Sequence, residues 1–600
     1  MNKIYKKSVN SSKIKEKTRC LSLLRNFMHK KGVDFFYISN SDFHFSEIIH
    51  PHFKFIEHLT GFSGSNAHLV IGLDDAALWT DGRYFLQVED ELSGLPVKLM
   101  RMNEPGVPSV ENYISSNLKK NMTLGLDSAR VTGSFLRTLK KIAQCNGFKI
   151  YSDFNPDSCL DIWERPTLTG KKVYEYPIAF SGCSSQKKIS RILYVMDECG
   201  ADYCLISDLS EIAWVLNLRG TDTPYSPLFF SFMLISHDRI YIYGFKEAFK
   251  DVTFTDNLVI KDYFCIFDDI KNIPKTSKIM LCTKSTSGKI LENLPSKINV
   301  LDEKSPVAFL KSIKNEVEIE NTRDVHIDDG IAVIRFIIKL KKAIGLGREI
   351  NEYDCAGMIN SLRAEVPDFK YPSFETISAY GPNGAIVHYA PSPESSLPLS
   401  ASGFLLLDSG GQYMRGTTDI TRTIALGPLT EKMKTCYTQV LKSHLALMSA
   451  NFAPGTTGKE LDEITRKPVK KAGYDYNHGT GHGVGHFLNV HEGPQCISRS
   501  NADFPIYPNM ITTDEPGIYI ENEFGIRIEN ELLCRSGNDG MLFFEPLTLV
   551  PYEKDAVIKE LLTQDEIDSL NKYHRIVFSK ISPSLCDDER EMLREMCLPI

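Results

Sequence analysis

Between His478 and His491 the chain places four of its fifteen histidines in fourteen residues, with glycines among them, in the run HGTGHGVGHFLNVHEGP. Glycine is a poor helix former and lets the backbone come close to whatever lies beside it. An amphipathic helix is therefore excluded here, and extended or looped chain remains. Such a segment either gathers imidazoles around a ligand or is a flexible polar loop. Its surroundings decide between the two.

Those surroundings are carboxylates. Asp408 ends an apolar run, and Asp419 follows eleven residues later, beyond a glycine-containing turn, in LLLDSGGQYMRGTTDITRTIAL. Side chains alternate along a strand with period two, so a hairpin with this loop brings both to one face. On its own the pair also suits turn capping, and if buried it needs a cation. Glu515 precedes a Pro-Gly turn in TTDEPGIYI, Glu529 stands in the alternating strand GIRIENELLC, and His388 ends a short apolar run in GAIVHYAP. Four carboxylates in one pocket repel one another and stay ionised only beside compensating positive charge, which two divalent ions supply. Oxygen-rich ligation with a single imidazole suits manganese, cobalt or zinc and excludes a soft thiolate site. Two such ions about 3.5–4 Å apart acidify a bridging water to hydroxide near neutral pH. The residues predict metal-assisted hydrolysis.

Six hundred residues exceed what one hydrophobic core organises. From about Leu21 to Asp157 short apolar runs (VDFFYIS, AHLVIGL, AALWTDG) alternate with helical patterns, as in an α/β domain. A second stretch, from about Cys159 to Asp302, repeats that style and looks like a distant copy of the same plan. Near Glu303 helical spacing takes over through Ile313, Val317, Ile331, Ile334 and Ile338, which predicts long helix in two pieces. The expected segments are 1–20 as a basic tail, 21–158, 159–303, 304–540 with the chemistry, and 541–600 as polar helices forming a packing or dimer-contacting appendix.

A net charge of -7 and a pI near 6.1 argue against broad nucleic-acid binding. No apolar stretch is long enough to span a bilayer, so no membrane partner is expected either. The first residues, MNKIYKKSVNSSKIKEKTR, lack the apolar centre of a signal peptide. Five lysines between Lys3 and Lys15, with a glutamate after them, also fit a mitochondrial segment poorly. A frayed, solvated tail and a cytoplasmic location are expected. The fourteen cysteines form no CxxC pair, which points to reduced thiols.

The set DSG with TTDITRT, HGTGHGVG with FLNVHEGP, TDEPG and GIRIEN resembles, in order, spacing and residue type, the signature of the aminopeptidase P group. That group lies within the pita-bread metallopeptidases of family M24, beside prolidase and methionine aminopeptidase. GFSGSNA and AALWTDGRYFLQ resemble its N-terminal domain. DIWERP and SEIAWVLNLRGTDTPYSPLFFSF resemble the join and second domain of its long, three-domain form, and FEPLTLVP the start of its C-terminal segment. The likeness covers nearly everything after the basic tail. It implies an α/β protein with two related creatinase-like α/β domains, followed by an α+β pita-bread catalytic domain.

The resemblance also implies roles. Asp408, Asp419, His482, Glu515 and Glu529 would ligate two divalent ions, manganese first and cobalt or zinc next, with Asp419 and Glu529 bridging both. Glu515 would also take a proton from the attacking water. His388, His478 and His491 would line the pocket and hold the substrate carbonyl and the departing proline nitrogen. Tyr519 and Arg527 would steady the carboxylates. The implied activity removes an N-terminal residue from peptides with proline next. Such a bond offers no N–H for ordinary peptidases to grip, and the preference for it comes from the resemblance alone. The long form further implies a homodimer in which Arg219, in NLRG, sits near the site across the dimer.

The nearest rival is prolidase, which cuts dipeptides. A non-catalytic peptide-binding module and a metal-free amidinohydrolase on the same fold would each be expected to lack ligands that are all present here. Glu375 stands where relatives usually have proline, and Met414-Arg415 where an acidic residue is common. Both are expected to alter loop detail or substrate preference only. His486 has no assigned role and is read as a bystander.

Overall fold

The computed structural model describes residues 2–254, 256–500 and 502–600, with side chains from residue 12 onward. The chain divides into two compact units. The first comprises Met1–Glu175, Ser185–Pro224 and Leu228–Pro306, and the second Tyr176–Ser184, Tyr225–Pro227 and Val307–Ile600.

Two six-stranded sheets organise the first unit. Across one, the strands run Lys98–Arg101, Ala76–Thr80, His68–Gly72, Phe35–Ser39, Thr123–Gly125 and Lys149–Tyr151. Across the other they run Leu258–Asp262, Ile240–Gly244, Ser231–Ser236, Tyr203–Ile206, Lys278–Leu281 and Asn299–Asp302. Numbered by appearance within each sheet, both read 4-3-2-1-5-6. Neighbours in both pair parallel, antiparallel, antiparallel, parallel and parallel. The copied plan that residue comparison only suggested is explicit in the hydrogen-bond ladders.

The first sheet is buried on both faces, which is why its strands read as apolar runs. Phe36, Ile38, Leu69 and Ile71 face one cluster, with Leu21, Leu24 and Met28 from the helix Asn2–Lys31. Tyr37, Val70 and Trp79 point the other way, toward Leu136 and Leu139 of the helix Gly133–Asn146.

The expected basic tail differs from expectation. Met1 and the side chains of residues 2–11 lie outside the described residues. From residue 12 the segment is the exposed start of that first helix, and Lys17 Nζ donates to His58 O at 2.6 Å. No glycine or proline interrupts residues 2–31, so the buried turns at Leu21 and Leu24 carry the helix back toward the N-terminus. Among the described residues, no helix is long and apolar enough to cross a membrane.

In the second unit, a helix Pro306–Ser312 precedes a thirty-residue helix Glu316–Gly345, the two pieces expected. Asn315 caps the longer one reciprocally with Glu318, satisfying its first amides. A three-stranded sheet (Ile377–Tyr380, Phe404–Ser409, Ile420–Ala425) and a six-stranded sheet containing Gly481–Gly483, Ile511–Asp514 and Asn530–Ser536 carry the chemistry. The C-terminal helices follow the packing alternative of the expected appendix. Leu570, Tyr573, Val577 and Ile581 of the helix Gln564–Ile581 lie in the same core as Ile337 and Leu441. Their spacing puts one apolar stripe inward on an otherwise polar helix.

Candidate metal centre

Asp408 lies near the end of Phe404–Ser409, opposite Ile377 on one neighbour and Thr421 on the other. Asp419 is the residue before Ile420–Ala425, so the antiparallel pair brings the two aspartates together as the hairpin reading expects. Glu529 departs from that reading, because it is not within a strand. Ile528 and Glu529 link the strand Phe524–Arg527 to Asn530–Ser536, which pair with different partners. In that link Glu529 N donates to Thr421 O at 3.1 Å. The histidine run is extended where its glycines allow close approach. His482 sits in Gly481–Gly483, and a Cβ on Gly481 would stand 2.0 Å from Thr513 O. This contact sets His482 beside the end of Ile511–Asp514, just ahead of Glu515.

Among the described residues, three groups could each hold an ion: Asp408, Asp419 and Glu529; His482, Glu515 and Glu529; and Asp419, His482 and His491. Within each group the ligand atoms lie within 4.8 Å of one another. The five expected ligands thus fall into overlapping sets, and His491 joins them. His482 Nε2 is 3.5 Å from Asp419 Oδ2 and 3.7 Å from Glu515 Oε1. Its Nδ1 is 3.0 Å from Gly483 O, so an Nδ1–H donating there leaves the Nε2 lone pair toward the carboxylates.

Around these lies a ring of supports. Arg527 Nη2 donates to Asp408 Oδ2 at 2.6 Å, and its Nη1 to Tyr519 Oη at 2.8 Å. Tyr519 Oη is in turn 2.8 Å from His478 Nε2, while His478 Nδ1 is 2.7 Å from Gly479 O. With Arg527 and His478 Nδ1–H as donors, the Tyr519 hydroxyl donates to His478 Nε2. Thr421 Oγ1 donates to Glu529 Oε2 at 2.7 Å. Two supports are absent from the sequence reading. Glu531 accepts from Asp419 N at 2.8 Å and faces His326 Nε2 at 3.3 Å, and Thr421 holds Glu529. The spacing of Glu529 and Glu531 by two residues is the signal that points to the first of these.

Burial, then Asp408, Glu515 and Glu531, push the Asp419 carboxyl well above its usual range. Burial and the same kind of neighbours do this to Glu529. Glu515 is pushed up to about 7, with burial the leading cause. His478 goes the other way, held neutral by burial and by Arg527. Asp408 Oδ1 is buried and, among the described residues, has no hydrogen-bond partner. An unpartnered buried carboxylate oxygen among mutually repelling acids, faced by an imidazole, fits a hard or borderline divalent cation.

Other expected residues fall elsewhere. His388 follows the short 3-10 helix Gly381–Ala385, near enough to His478 to contribute to its low affinity for a proton. Arg219 belongs to the first unit, where it is buried and donates to Ala213 O and Leu218 O. His486 has its nitrogens 3.2 Å from Thr322 Oγ1 and 3.1 Å from Phe180 O. Arg415 pairs with Asp328 at 2.6 Å and Asp368 at 2.8 Å, and Glu375 is exposed.

Residues 321–536 match metallopeptidase family M24, and 540–600 match the C-terminal region of that family. Residues 21–152 and 164–318 each match the creatinase/prolidase N-terminal domain. The chain is 36% identical to a probable Xaa-Pro aminopeptidase P of Laccaria bicolor, over 97% of this chain and 94% of that one. The chain belongs to the aminopeptidase P group of metallopeptidase family M24. A second relative, Xaa-Pro aminopeptidase 1 of Dictyostelium discoideum, is 34% identical over 97% of this chain and 96% of its own. Among solved structures, the X-prolyl aminopeptidase of Caenorhabditis elegans, described as a cytosolic enzyme with a di-nuclear active site, matches with a TM-score of 0.90. It is 31% identical, and the match covers 95% of each chain. An Xaa-Pro dipeptidase from Bacillus anthracis matches with a TM-score of 0.50 at 26% identity, over 62% of this chain and 99% of its own.

Proposed function

We propose that this chain is a metal-dependent Xaa-Pro aminopeptidase, releasing the first residue of peptides whose second residue is proline. The observation that carries the reading is the convergence of Asp408, Asp419, Glu515 and Glu529 with His482 on overlapping cation positions. These five residues would hold two divalent ions, with Asp419 and Glu529 shared between them. Manganese is the first choice and cobalt or zinc the alternatives. When bound, such ions supply Lewis acidity for the scissile carbonyl and a nucleophilic water near neutral pH.

The chain's own groups do the rest. Glu515 takes a proton from the water that attacks, a task suited to a carboxylate whose oxygens face His482 and His478. His388 and His491 line the pocket, holding the substrate carbonyl and the proline nitrogen as it leaves. His478 lines it as the end of the chain from Arg527 through Tyr519, which fixes the orientation of both. Arg219, the remaining expected substrate-binding residue, would sit near the site across a homodimer. The location is cytoplasmic. The aminopeptidase reading is favoured over the dipeptidase because relatives of that name extend along nearly the whole chain, whereas the dipeptidase spans part of it.

The test strips the protein of metal and restores manganese, cobalt or zinc separately, with Xaa-Pro-Yaa tripeptides, Xaa-Pro dipeptides and proline-free controls. Release of the first residue from the tripeptide alone, restored by metal and lost in Glu515→Gln, is the expected result. Cleavage of the dipeptide alone moves the protein to prolidase. No cleavage with metal bound leaves a peptide-binding module.

A further inference from the structure

Glu352 is fully buried, yet among the described residues no lysine or arginine pairs with it. Five hydrogen bonds take the place of a cation. Its Oε1 accepts from Tyr380 N at 2.6 Å and Asn383 Nδ2 at 3.0 Å. Its Oε2 accepts from Asn383 Nδ2 at 3.0 Å, Tyr389 Oη at 2.8 Å and Leu397 N at 2.7 Å. Glu352 also opens the twelve-residue helix Glu352–Arg363, whose N-terminal dipole favours its negative charge. Its own backbone N–H donates to Leu397 O at 3.2 Å, closing the knot.

All four partners belong to one segment, 380–397, and they bracket His388. Tyr389 is the very next residue. The other side of this segment rests on the strand Phe524–Arg527. There a Cβ on Gly525 would stand 1.7 Å from Gly384 O, and Arg527 Nη2 donates to Val387 O at 3.4 Å. The loop is thus clamped between the strand that presents Arg527 and a carboxylate that touches neither metal ligand nor pocket. Buried carboxylates without a cation are costly, so a network this complete is a device with a purpose.

We propose that Glu352 is the positioning residue for His388, fixing the loop that presents this imidazole to the substrate. The inference rests on the reading above that His388 touches substrate. Glu352→Gln keeps the shape but turns an amide N–H₂ toward donors, so the loop loses at least one clamp. The expected result is a fall in kcat on the order of 100-fold, as for a misplaced catalytic group, with KM changing less and metal content unaltered. Tyr389→Phe removes one bond beside His388 and lowers kcat about three- to tenfold. Neither change should lower activity much further in a His388→Ala background. In metal-free protein, hydrogen exchange across residues 380–397 should quicken in both variants.

Wild-type protein that cleaves no Xaa-Pro peptide defeats the functional reading, and the exchange measurement still judges the clamp. If Glu352→Gln does not fold, Tyr389→Phe alone decides. Unchanged exchange overturns the proposal. So do an unchanged kcat, a fully active His388→Ala, or effects that multiply with His388→Ala.

Discussion

Two groups of buried carboxylates in the second unit face opposite problems. Glu492 lies between Lys311 at 2.7 Å and Lys314 at 2.6 Å, and Asp329 is held by Arg363 at 2.7 Å and by the Tyr413 hydroxyl at 2.6 Å. Burial pushes Asp329 up, but Arg363 and Tyr413 outweigh it and hold the carboxyl below its usual range. At the metal centre burial first, and then neighbouring carboxylates, drive both Asp419 and Glu529 upward despite Arg527. Arg527 serves Asp408 alone by direct contact. The first group carries its counterions in the sequence, whereas the second is assembled for positive charge that comes from solution.

The largest effect that would sharpen this contrast is Asp419→Asn. Hydrolysis should fall on the order of a thousandfold or more, because a Lewis acid supplies several kcal/mol to such reactions, and metal content per chain should drop with it. In the metal-free protein the same substitution should raise the melting temperature, since it removes one of the repelling charges. Glu492→Gln should do the reverse. It removes the carboxylate charge that two buried lysines share and should cost about 3–5 kcal/mol, seen as a lower melting temperature with or without metal. If both substitutions destabilise the metal-free protein alike, the distinction between the two groups is wrong.

A third prediction concerns pH. In the metal-free protein Glu515 is pushed from 4.5 to about 7. A carboxyl raised on folding favours the folded state below its unfolded value, and that contribution is lost as pH climbs through the folded value. The melting temperature of metal-free Glu515→Gln should therefore gain on wild type as pH rises from 4.5 to 7. Comparing the two proteins cancels the buried histidines common to both. With saturating metal the gap should shrink or reverse, because metal binding needs ionised carboxylates. A gap independent of pH would remove Glu515 from the repelling set.

The smallest effect belongs to Arg415. Its partners Asp328 and Asp368 are partly exposed, so Arg415→Ala should change stability by less than about 1 kcal/mol. Tripeptide cleavage should stay at the wild-type rate. A large loss of activity would mean that this departure from the family pattern reaches the substrate.

What the sequence showed of this site follows from the range of the forces involved. Asp408, Asp419, Glu515, Glu529 and the histidine run are legible because acids at the ends of apolar runs and imidazoles among glycines are conspicuous in residues alone. Glu531 was within reach through its spacing from Glu529. Glu352 was not, because its partners begin twenty-eight residues away and two of them are backbone N–H groups that any residue supplies. The apolar stripe of the helix Gln564–Ile581 is visible in its spacing, but the core it joins is not, because Ile337 and Leu441 lie far away in the chain. The extension of the first helix through the basic segment was hidden by charge, which marks a solvated surface without saying whether the backbone beneath it is ordered.

The matched strand order of the two sheets in the first unit is a historical record. Six strands agreeing in both order and direction point to one ancestral segment, duplicated and then left to drift until its halves ceased to look alike in residues. Drift of that depth is tolerated because a ladder of backbone bonds does not care which apolar side chain fills each place. A duplicated scaffold also has freedom that a single copy lacks. One half can go on serving its inherited task while the other accumulates changes, which makes the divergent positions between the halves the place to look for lineage-specific innovation.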